Sequence, residues 1–343
     1  MKFNNVNIAA IGYELPNLVV TSDMLEENLA PVYAALRIPR GQLVAMTGIR
    51  ERRWWPPNTK LSDVAARAGL NALRNANVAT SEIGMVIYAG VCRENLEPAT
   101  ACAVADKLGI TGNAQIFDIS NACLGAMNGV VQIATAIEAG VIRAGIVCCA
   151  ETAQQIVEIM LNRLLDQPSM PLFKTTLATL TGGSGAAAIL VAHKDLAPDG
   201  HKLIGGAIRN SVRHHELCRW GPDTGQPATA PMTMETHAID VLENGVALGR
   251  ETWRDFLRAV ETHPDKVICH QVGQSNRDAI LRALEISAGR DFSTFPTLGN
   301  IGTVSLPLTA AIAAEQGHLQ RHDRVAFLGI GSGLNCLMLA VDW

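Results

Sequence analysis

Short apolar runs alternate with longer stretches of helical periodicity along most of the chain. The runs include IGMVIYAG, RAGIVCCA, GAAAILVA, DKVICHQV and RVAFLGIG, and each is apolar almost throughout rather than at every second position. Strands that are covered by helices on both faces show such continuous runs, whereas half-exposed strands alternate. The pattern therefore predicts an α/β fold with a deeply buried sheet.

The chain also resembles itself at a shift of about 180 residues. FDISNACLGAMNG begins at Phe117 and FPTLGNIGTVSLP begins at Phe295, 178 residues later. The strands ending near Ile87 and Ile268 come into register at a shift of 181 residues. Because a fixed period indicates duplicated structural units, we predict two related α/β halves, residues 1–196 and 197–343.

Three residues become candidates for chemistry if loops from equivalent ends of the two halves meet. Cys123 lies where a predicted strand gives way to a predicted helix, whose N-terminus would lower its pKa and offer a backbone N–H to an oxyanion. His270 ends an apolar strand, where α/β enzymes carry reactive groups. Asn300 follows a glycine in a turn-like segment. Each also fits a structural role, as a buried thiol, a core histidine or a turn residue. We expect the three to lie together.

Composition and charge limit the class of protein. Charged residues make up 17% of the 343 positions and hydrophobic residues 48%, which is typical of a large α/β enzyme. The formal net charge of −4 gives no general electrostatic reason to bind nucleic acid. The eight cysteines form no CxxC spacing, so most are expected to be reduced core residues of a cytoplasmic protein. No apolar run predicts a signal peptide or a membrane span.

Three further stretches have ambiguous patterns. TGGSGAAAIL lacks the lysine of a phosphate-binding P-loop and is expected to pack tightly as it enters a core strand. Adjacent His214 and His215 lie in a polar stretch whose spacing does not predict a metal site. Residues 156–180 are rich in leucine and methionine, so they either line an apolar tunnel or form a helix at a dimer interface.

Five stretches together resemble the condensing enzymes of the thiolase superfamily. They are TGIRERR, SNACLGAMNG, CHQVGQSN, LGNIGTVSLP and GIGSGLNC, and they follow the same order over nearly the whole chain. The chain is most similar to ketoacyl synthase III and to the OleA-type acyl-CoA condensing enzymes of olefin biosynthesis. The resemblance implies a thiolase fold, a five-layered αβαβα homodimer built from two duplicated halves.

The resemblance also implies a role for each candidate residue. Cys123 would carry an acyl group as a thioester, and the backbone N–H groups of Cys123 and Ser332 would hold the oxyanion. His270 and Asn300 would bind the carbonyl oxygen of the second thioester. The expected partners are acyl-CoA, an acyl carrier protein or both, and coenzyme A thioesters are substrates rather than cofactors. Neither a cofactor nor a metal is expected.

The origin of the carbanion distinguishes the two related families. Ketoacyl synthase III decarboxylates a malonyl thioester, whereas OleA-type enzymes remove an α-proton with a glutamate from the partner subunit. Glu97, in VCRENLEPATA, lies 26 residues before Cys123 in a context that resembles the OleA motif. A carboxylate in a dry tunnel would have a raised pKa and act as a better base. Local sequence alone favours a surface loop, and Glu94 is a competing carboxylate. We expect Glu97 to be the base, in its own subunit or in the partner's.

Contacts to coenzyme A are less well specified by the sequence. Gln42 and Met46 stand where ketoacyl synthase III proteins usually have a tryptophan and an arginine that contact coenzyme A. Arg50, Arg52 and Trp54 remain candidates, because arginine binds phosphate and aromatic rings stack on adenine. The same cluster also fits structural salt bridges and packing.

The leading hypothesis is an acyltransferase that joins two fatty acyl-CoA molecules head to head through acyl-Cys123, giving a β-keto product by Claisen condensation. The alternatives are a decarboxylative 3-oxoacyl-ACP synthase III that uses malonyl-ACP, and a cysteine-dependent thioester hydrolase. A catalytically silent lipid-binding protein on the same fold is a third. Such a protein would have no chemical need for Cys123, His270, Asn300 and Glu97 together.

Overall fold

The structure, a computed structural model, describes residues 1–222 and 231–343. Its strands are β1 (Val6–Glu14), β2 (Leu18–Thr21), β3 (Glu51–Trp54), β4 (Ile83–Ala89), β5 (Gln115–Ile119), β6 (Ala144–Glu151), β7 (Gly185–His193), β8 (His201–Asn210), β9 (Cys218–Gly221), β10 (Thr233–Thr236), β11 (Lys266–Cys269), β12 (Arg324–Gly331) and β13 (Asn335–Asp342). Its α-helices are α1 (Ser22–Asn28), α2 (Ala30–Leu36), α3 (Gln42–Thr47), α4 (Leu61–Ala76), α5 (Thr100–Leu108), α6 (Gly125–Glu138), α7 (Gln154–Asp166), α8 (Met170–Thr176), α9 (Ala238–Val260), α10 (Gln274–Ala283), α11 (Phe295–Leu298) and α12 (Ser305–Glu315).

Nine of the strands form one mixed sheet whose two halves repeat the same order. From the centre outwards, the order is β1-β7-β6-β4-β5 on one side and β8-β13-β12-β11 on the other. In both halves the third and fourth strands are parallel and the other neighbours antiparallel, apart from the additional parallel pair of β4 and β5. This symmetry agrees with a duplication. The division at residues 196 and 197 falls between β7 and β8 and stays a prediction.

Helices separate the two halves of the sheet and cover their outer faces. In β4, Ile87 packs with residues of α6 and α12, whereas its neighbour Val86 packs with α4 and α5. In β11, Ile268 packs towards α6 and α12, and Val267 packs with α9 and α10. Because successive residues of a strand point to opposite faces, the layers run α4/α5, sheet, α6/α12, sheet, α9/α10. The predicted five-layered αβαβα thiolase fold is confirmed.

The apolar pattern of each helix agrees with its layer. In α12, SLPLTAAIAAE is buried on nearly all sides, as expected of a helix between two sheets. The outer helix α9 is amphipathic and buries a single stripe that includes Leu248, Trp253 and Phe256. Among the described residues, no helix has both the length and the apolar character needed to cross a membrane.

One element of the proposed repeat differs between the halves. Phe117 lies in β5, but Phe295 begins the short helix α11. The counterpart of the pairing between β4 and β5 is a single bridge between Val267 and Asp291. The match of the two phenylalanines is therefore wrong as a structural equivalence. The segment after Asp291 leaves the sheet early and carries Asn300 to the cavity described next.

Candidate active site

A cavity of about 390 Å³ is lined by residues from both halves of the chain. Cys123 comes from the turn before α6, His270 from the end of β11, Asn300 from the loop after α11 and Ser332 from the turn after β12. The structure therefore brings these four predicted site residues together around one cavity. The most distant pair, Cys123 and Ser332, is separated by 209 positions in the sequence.

Cys123 lies at a sharp bend in the backbone. The preceding residue, Ala122, has a φ of 44°, in the left-handed region that residues with a Cβ rarely occupy. α6 begins at Gly125, two residues after Cys123. A Cβ added at Gly331 would lie 3.5 Å from the Cys123 nitrogen, so the glycine allows the β12 turn to approach the cysteine closely. The bend directs the cysteine into the cavity.

The environment of Cys123 corrects the expected effect of the helix N-terminus. Burial raises the pKa of the Cys123 thiol to about 12, and the nearby Cys218 and Glu151 act in the same direction. The backbone N–H of Ala126, in the first turn of α6, already donates to Thr303 Oγ1 at 2.7 Å. Desolvation therefore outweighs the helix dipole, and the thiol is neutral at neutral pH.

His270 is also neutral in this site. Its side chain is 8% exposed, and burial lowers its pKa to about 4. Its backbone N–H donates to Leu328 O at 3.0 Å, which anchors the residue at the end of β11. Within the described part of the chain, its Nδ1 atom has no hydrogen-bond partner. A neutral imidazole can donate a hydrogen bond to a substrate oxygen, the task expected of His270.

Asn300 is held so that its amide N–H₂ group is available. Its Oδ1 atom accepts a hydrogen bond from the backbone N–H of Gly302 at 3.0 Å. Its backbone N–H donates to Thr181 O, and its carbonyl accepts from Gly183. A Cβ at Gly183 would lie 2.1 Å from Leu298 O, so glycine is needed where the two segments meet. TGGSG is thus the tight approach that the sequence predicts.

A chain of side-chain amides, which the sequence reasoning missed, connects the two predicted oxyanion positions. Asn335 Nδ2 donates to Asn121 Oδ1 at 3.2 Å and to Ser332 O at 3.4 Å. Asn121 Nδ2 in turn donates to Asn128 Oδ1 at 2.7 Å. These asparagines lie inside the motifs SNACLGAMNG and GIGSGLNC, but only the folded chain shows that they contact each other across 214 positions.

Glu97 does not line the cavity of its own chain. It is exposed in the loop of residues 90–99, which connects β4 to α5. Glu94, the competing carboxylate, accepts the backbone N–H of Ser62 at 2.7 Å in the first turn of α4. Glu94 therefore has a structural partner, whereas the side chain of Glu97 is exposed.

The structure corrects two of the three expected coenzyme A contacts. Arg52 is 1% exposed and donates to Ser22 Oγ and to backbone carbonyls, including Leu180 O at 3.2 Å. Trp54 is buried and its indole N–H donates to Gly182 O at 3.3 Å. Both side chains hold the backbone of residues 180–182 beside the cavity, which is the packing role that the sequence also allowed. Arg50 is exposed.

The far part of the cavity is apolar and extends along α9. Its lining includes Leu242, Val246, Ile280, Leu328 and Met338. Ile156, Ala178 and Thr179 line another part, so the segment 156–180 contributes to the cavity wall. An apolar extension of this kind suits an alkyl chain rather than a polar substrate. In the described ranges, no group of three acidic, histidine or cysteine side chains could hold a metal ion.

Comparisons with known proteins agree with this geometry. Residues 44–170 match the thiolase N-terminal domain family, and residues 261–343 match the C-terminal domain of 3-oxoacyl-[acyl-carrier-protein] synthase III. The acyl-CoA:acyl-CoA alkyltransferase of Shewanella oneidensis is 47% identical over the full length of both chains. A protein with the same name from Xanthomonas campestris is 34% identical, again over both full lengths.

Solved structures give the same result. The crystal structure of OleA from Xanthomonas campestris superposes with a TM-score of 0.94 at 34% identity, covering 100% of this chain and 98% of the other. Another variant structure of that OleA, with a TM-score of 0.93, holds bound lauric acid and lauroyl-CoA. A β-ketoacyl-[acyl-carrier-protein] synthase III from Desulfitobacterium hafniense is more distant, at 28% identity. The chain belongs to the OleA-type acyl-CoA:acyl-CoA alkyltransferase family of thiolase-fold acyltransferases.

Proposed function

We propose that this protein joins two long-chain acyl-CoA molecules head to head, giving a β-ketoacyl-CoA that carries two alkyl chains. The observation that carries the proposal is the cavity lined jointly by Cys123, His270 and Asn300, which continues into an apolar extension along α9. The names and the bound lauroyl-CoA of the similar proteins support acyl-CoA as the substrate class.

The first half-reaction transfers an acyl group to the enzyme. The Cys123 sulfur attacks the carbonyl carbon of the first acyl-CoA, and the carbon–sulfur bond to coenzyme A breaks. The thiol proton leaves with coenzyme A, so the products are acyl-Cys123 and free coenzyme A. The backbone N–H groups of Cys123 and Ser332 stabilise the oxyanion as it forms.

The second half-reaction forms the carbon–carbon bond. Glu97 removes an α-proton from the second acyl-CoA, and His270 and Asn300 donate hydrogen bonds to the enolate oxygen. The α-carbon attacks the acyl-Cys123 carbonyl, the carbon–sulfur bond to Cys123 breaks, and Glu97 returns the proton to the cysteine. These steps use no cofactor beyond the thioester substrates. The names of the similar proteins and the bound lauroyl-CoA favour coenzyme A as the carrier, and an acyl carrier protein could present the same thioester.

A homodimer would place Glu97 in the partner's site. β5 is the edge strand of the sheet, with no neighbour on its outer side in the part of the chain that the structure describes. Edge strands present unpaired N–H and C=O groups to another chain. The loop of residues 90–99 adjoins this edge, because Gly90 N donates to Ile119 O at the end of β5. Pairing across β5 would therefore carry Glu97 towards the second subunit.

Two further assignments follow from the same proposal. Arg50 is the exposed candidate for a phosphate contact at the coenzyme A end of the substrate. A cytoplasmic location agrees with eight cysteines that are all free thiols.

Incubation of the purified protein with lauroyl-CoA alone tests the proposed reaction. The wild type is expected to release coenzyme A and to form a β-keto product with two alkyl chains, without malonyl-ACP. Cys123→Ala should form neither an acyl-enzyme nor a product. Glu97→Gln should still form acyl-Cys123 but condense about a hundredfold or more slowly, the usual loss of a general base.

Mass spectrometry of the protein and of the extracted products separates these results. Product that appears only when malonyl-ACP is added would indicate the decarboxylative reaction instead. Free fatty acid as the only product would indicate a hydrolase. Unimpaired condensation by Glu97→Gln would remove Glu97 from the mechanism.

A further inference from the structure

Glu151 is a buried carboxylate that the proposed reaction steps do not use. It ends β6, is 3% exposed and lines the same cavity as Cys123 and Asn300. Burial raises its pKa, although several N–H donors oppose this effect. A charge in such a place has a desolvation cost, so its contacts must compensate for that cost.

The two carboxylate oxygens of Glu151 hold the beginning of the loop that carries Glu97. Oε1 accepts the backbone N–H of Val91 and Oε2 accepts that of Cys92, each at 3.0 Å. A carboxylate that accepts two neighbouring backbone N–H groups fixes the direction of the chain, and such charged hydrogen bonds are about twice as strong as neutral ones.

Other contacts hold the two ends of the same loop, at Cys92 and where the loop enters α5. Asp118, in β5, accepts the backbone N–H groups of Thr100 and Ala101 at 2.9 Å and 2.8 Å. Tyr88 Oη donates to Cys92 O at 2.7 Å. Residues 95–98, which include Glu97, are the continuously exposed part of the loop.

Glu151 differs from Asp118 and Tyr88 because it also contacts the loop of residues 299–304, which carries Asn300. A Cβ added at Gly302 would lie 3.2 Å from Glu151 Oε1, so glycine is what permits this contact. One carboxylate therefore links the loop of Asn300, in this subunit's site, to the loop that presents Glu97.

We infer that Glu151 is a positioning residue for the condensation step, which orients the loop of residues 90–99 and thereby places Glu97. This inference rests on the proposed function. Glu151 does not take a proton from the substrate. It holds two backbone N–H groups, and its loss should affect proton abstraction rather than transfer of the first acyl group to Cys123.

Glu151→Gln tests the inference because the amide has nearly the same shape but replaces one acceptor oxygen with an N–H₂ donor. In the intact protein, we expect hydrogen–deuterium exchange in residues 90–99 to accelerate. We expect condensation of lauroyl-CoA to slow by about ten- to a hundredfold, the usual effect of losing a hydrogen bond to a charged group. The burst of coenzyme A that reports acylation of Cys123 should be unchanged or faster, because Glu151 raises the pKa of that thiol.

Glu138→Gln is the matched control. Glu138 also accepts two neighbouring backbone N–H groups, those of Asn4 and Asn5, but it lies outside the cavity. This variant should leave both the acylation burst and condensation unchanged.

Three results would overturn the inference. Acylation and condensation that fall together in Glu151→Gln would indicate a general structural role. Unchanged exchange in residues 90–99 would remove the link to the loop. Loss of α-proton exchange in Glu151→Gln but not in Glu97→Gln would make Glu151 the base. Failure of the proposed function is distinct, because the wild type itself would then make no β-keto product.

Discussion

At the scale of single residues, the site combines a cysteine and a histidine that are both uncharged. The pKa of the Cys123 thiol is raised to about 12 and that of His270 is lowered to about 4, in both cases mainly by burial. A preformed thiolate–imidazolium pair is therefore disfavoured. In the proposed mechanism, the thiol therefore loses its proton only during the attack, as that proton moves to the leaving coenzyme A.

The shifted pKa of His270 predicts a pH-dependent stability. The pKa in the folded protein, about 4, lies below the usual 6.5, so the native state binds fewer protons than the unfolded chain between these values. The contribution of neutral His270 to the free energy of unfolding is therefore fully present above pH 6.5. It is lost as the pH is lowered towards 4, by up to about 3 kcal/mol. In the His270→Asn variant, the free energy of unfolding should not show this decrease between pH 6.5 and 4.

Urea denaturation of both proteins at several pH values between 7 and 4 measures the effect. His215→Asn, at an exposed histidine, is the control and should follow the wild type. Parallel stability curves for the wild type and His270→Asn would contradict the buried neutral imidazole.

At this scale, the residues with reactive side chains were predictable from the sequence, but the residues that hold them were not. Cys123, His270 and Asn300 stood out because their residue types and positions at element ends suggest chemistry. Glu151 and Asn335 act through backbone and amide contacts made between distant parts of the chain. The burial of Arg52 was equally hidden, because an arginine in a short polar stretch is ordinarily exposed.

At the scale of elements, α9 predicts a limit on acyl chain length. Gly245 and Gly249 lie one turn apart on its buried face and both line the cavity. A Cβ added at Gly249 would lie 2.7 Å from Ile280 Cδ1, and Ile280 also lines the cavity. The added methyl group must therefore displace Ile280 and narrow the apolar extension.

Gly249→Ala should shift the enzyme towards shorter substrates. We expect kcat/KM for a long acyl-CoA to fall by at least about tenfold relative to a short one, the usual effect of one methyl group in an apolar pocket. The helix itself should gain stability, because alanine favours helix more than glycine does. Initial rates with acyl-CoA of increasing chain length provide the measurement.

Gly289→Ala is the control for that series, since nothing lies within 4 Å of a Cβ added there. An unchanged chain-length profile in Gly249→Ala would mean that the alkyl chain does not extend along α9.

Element types were predictable where one pattern dominated. Continuous apolar runs identified β4, β6, β7, β11 and β12, because strands covered on both faces need apolar residues at every position. The pattern failed where the halves diverge, at Phe117 and Phe295. Both residues precede glycine-containing motifs, but only tertiary packing decides that one continues a sheet and the other begins α11.

At the scale of the whole molecule, the separation of Glu97 from its own cavity requires an explanation. The three other proposed catalytic residues line one space, and Glu97 lies on an exposed loop beside β5, which has no outer neighbour among residues 1–222 and 231–343. A base must reach within hydrogen-bond distance of the proton that it removes. Either the loop moves into its own site or a second subunit brings its glutamate to that site.

Mixed dimers distinguish these two arrangements. Cys123→Ala subunits, expected to be inactive, and Glu97→Gln subunits, expected to condense about a hundredfold or more slowly, are co-expressed with different affinity tags. The mixed dimer is purified through both tags. If Glu97 acts across the dimer, one site combines an intact cysteine with an intact glutamate, and we expect about half of the wild-type rate per dimer. If it acts within its own subunit, neither site is complete.

The reciprocal mixture must give the opposite result. A wild-type subunit paired with a subunit that carries both Cys123→Ala and Glu97→Gln retains its own cysteine and glutamate in one chain. Action across the dimer then leaves no complete site and predicts no condensation, whereas action within one subunit predicts about half of the wild-type rate. Activity in this second mixture and none in the first would exclude the shared site and require the loop of residues 90–99 to reach its own cavity.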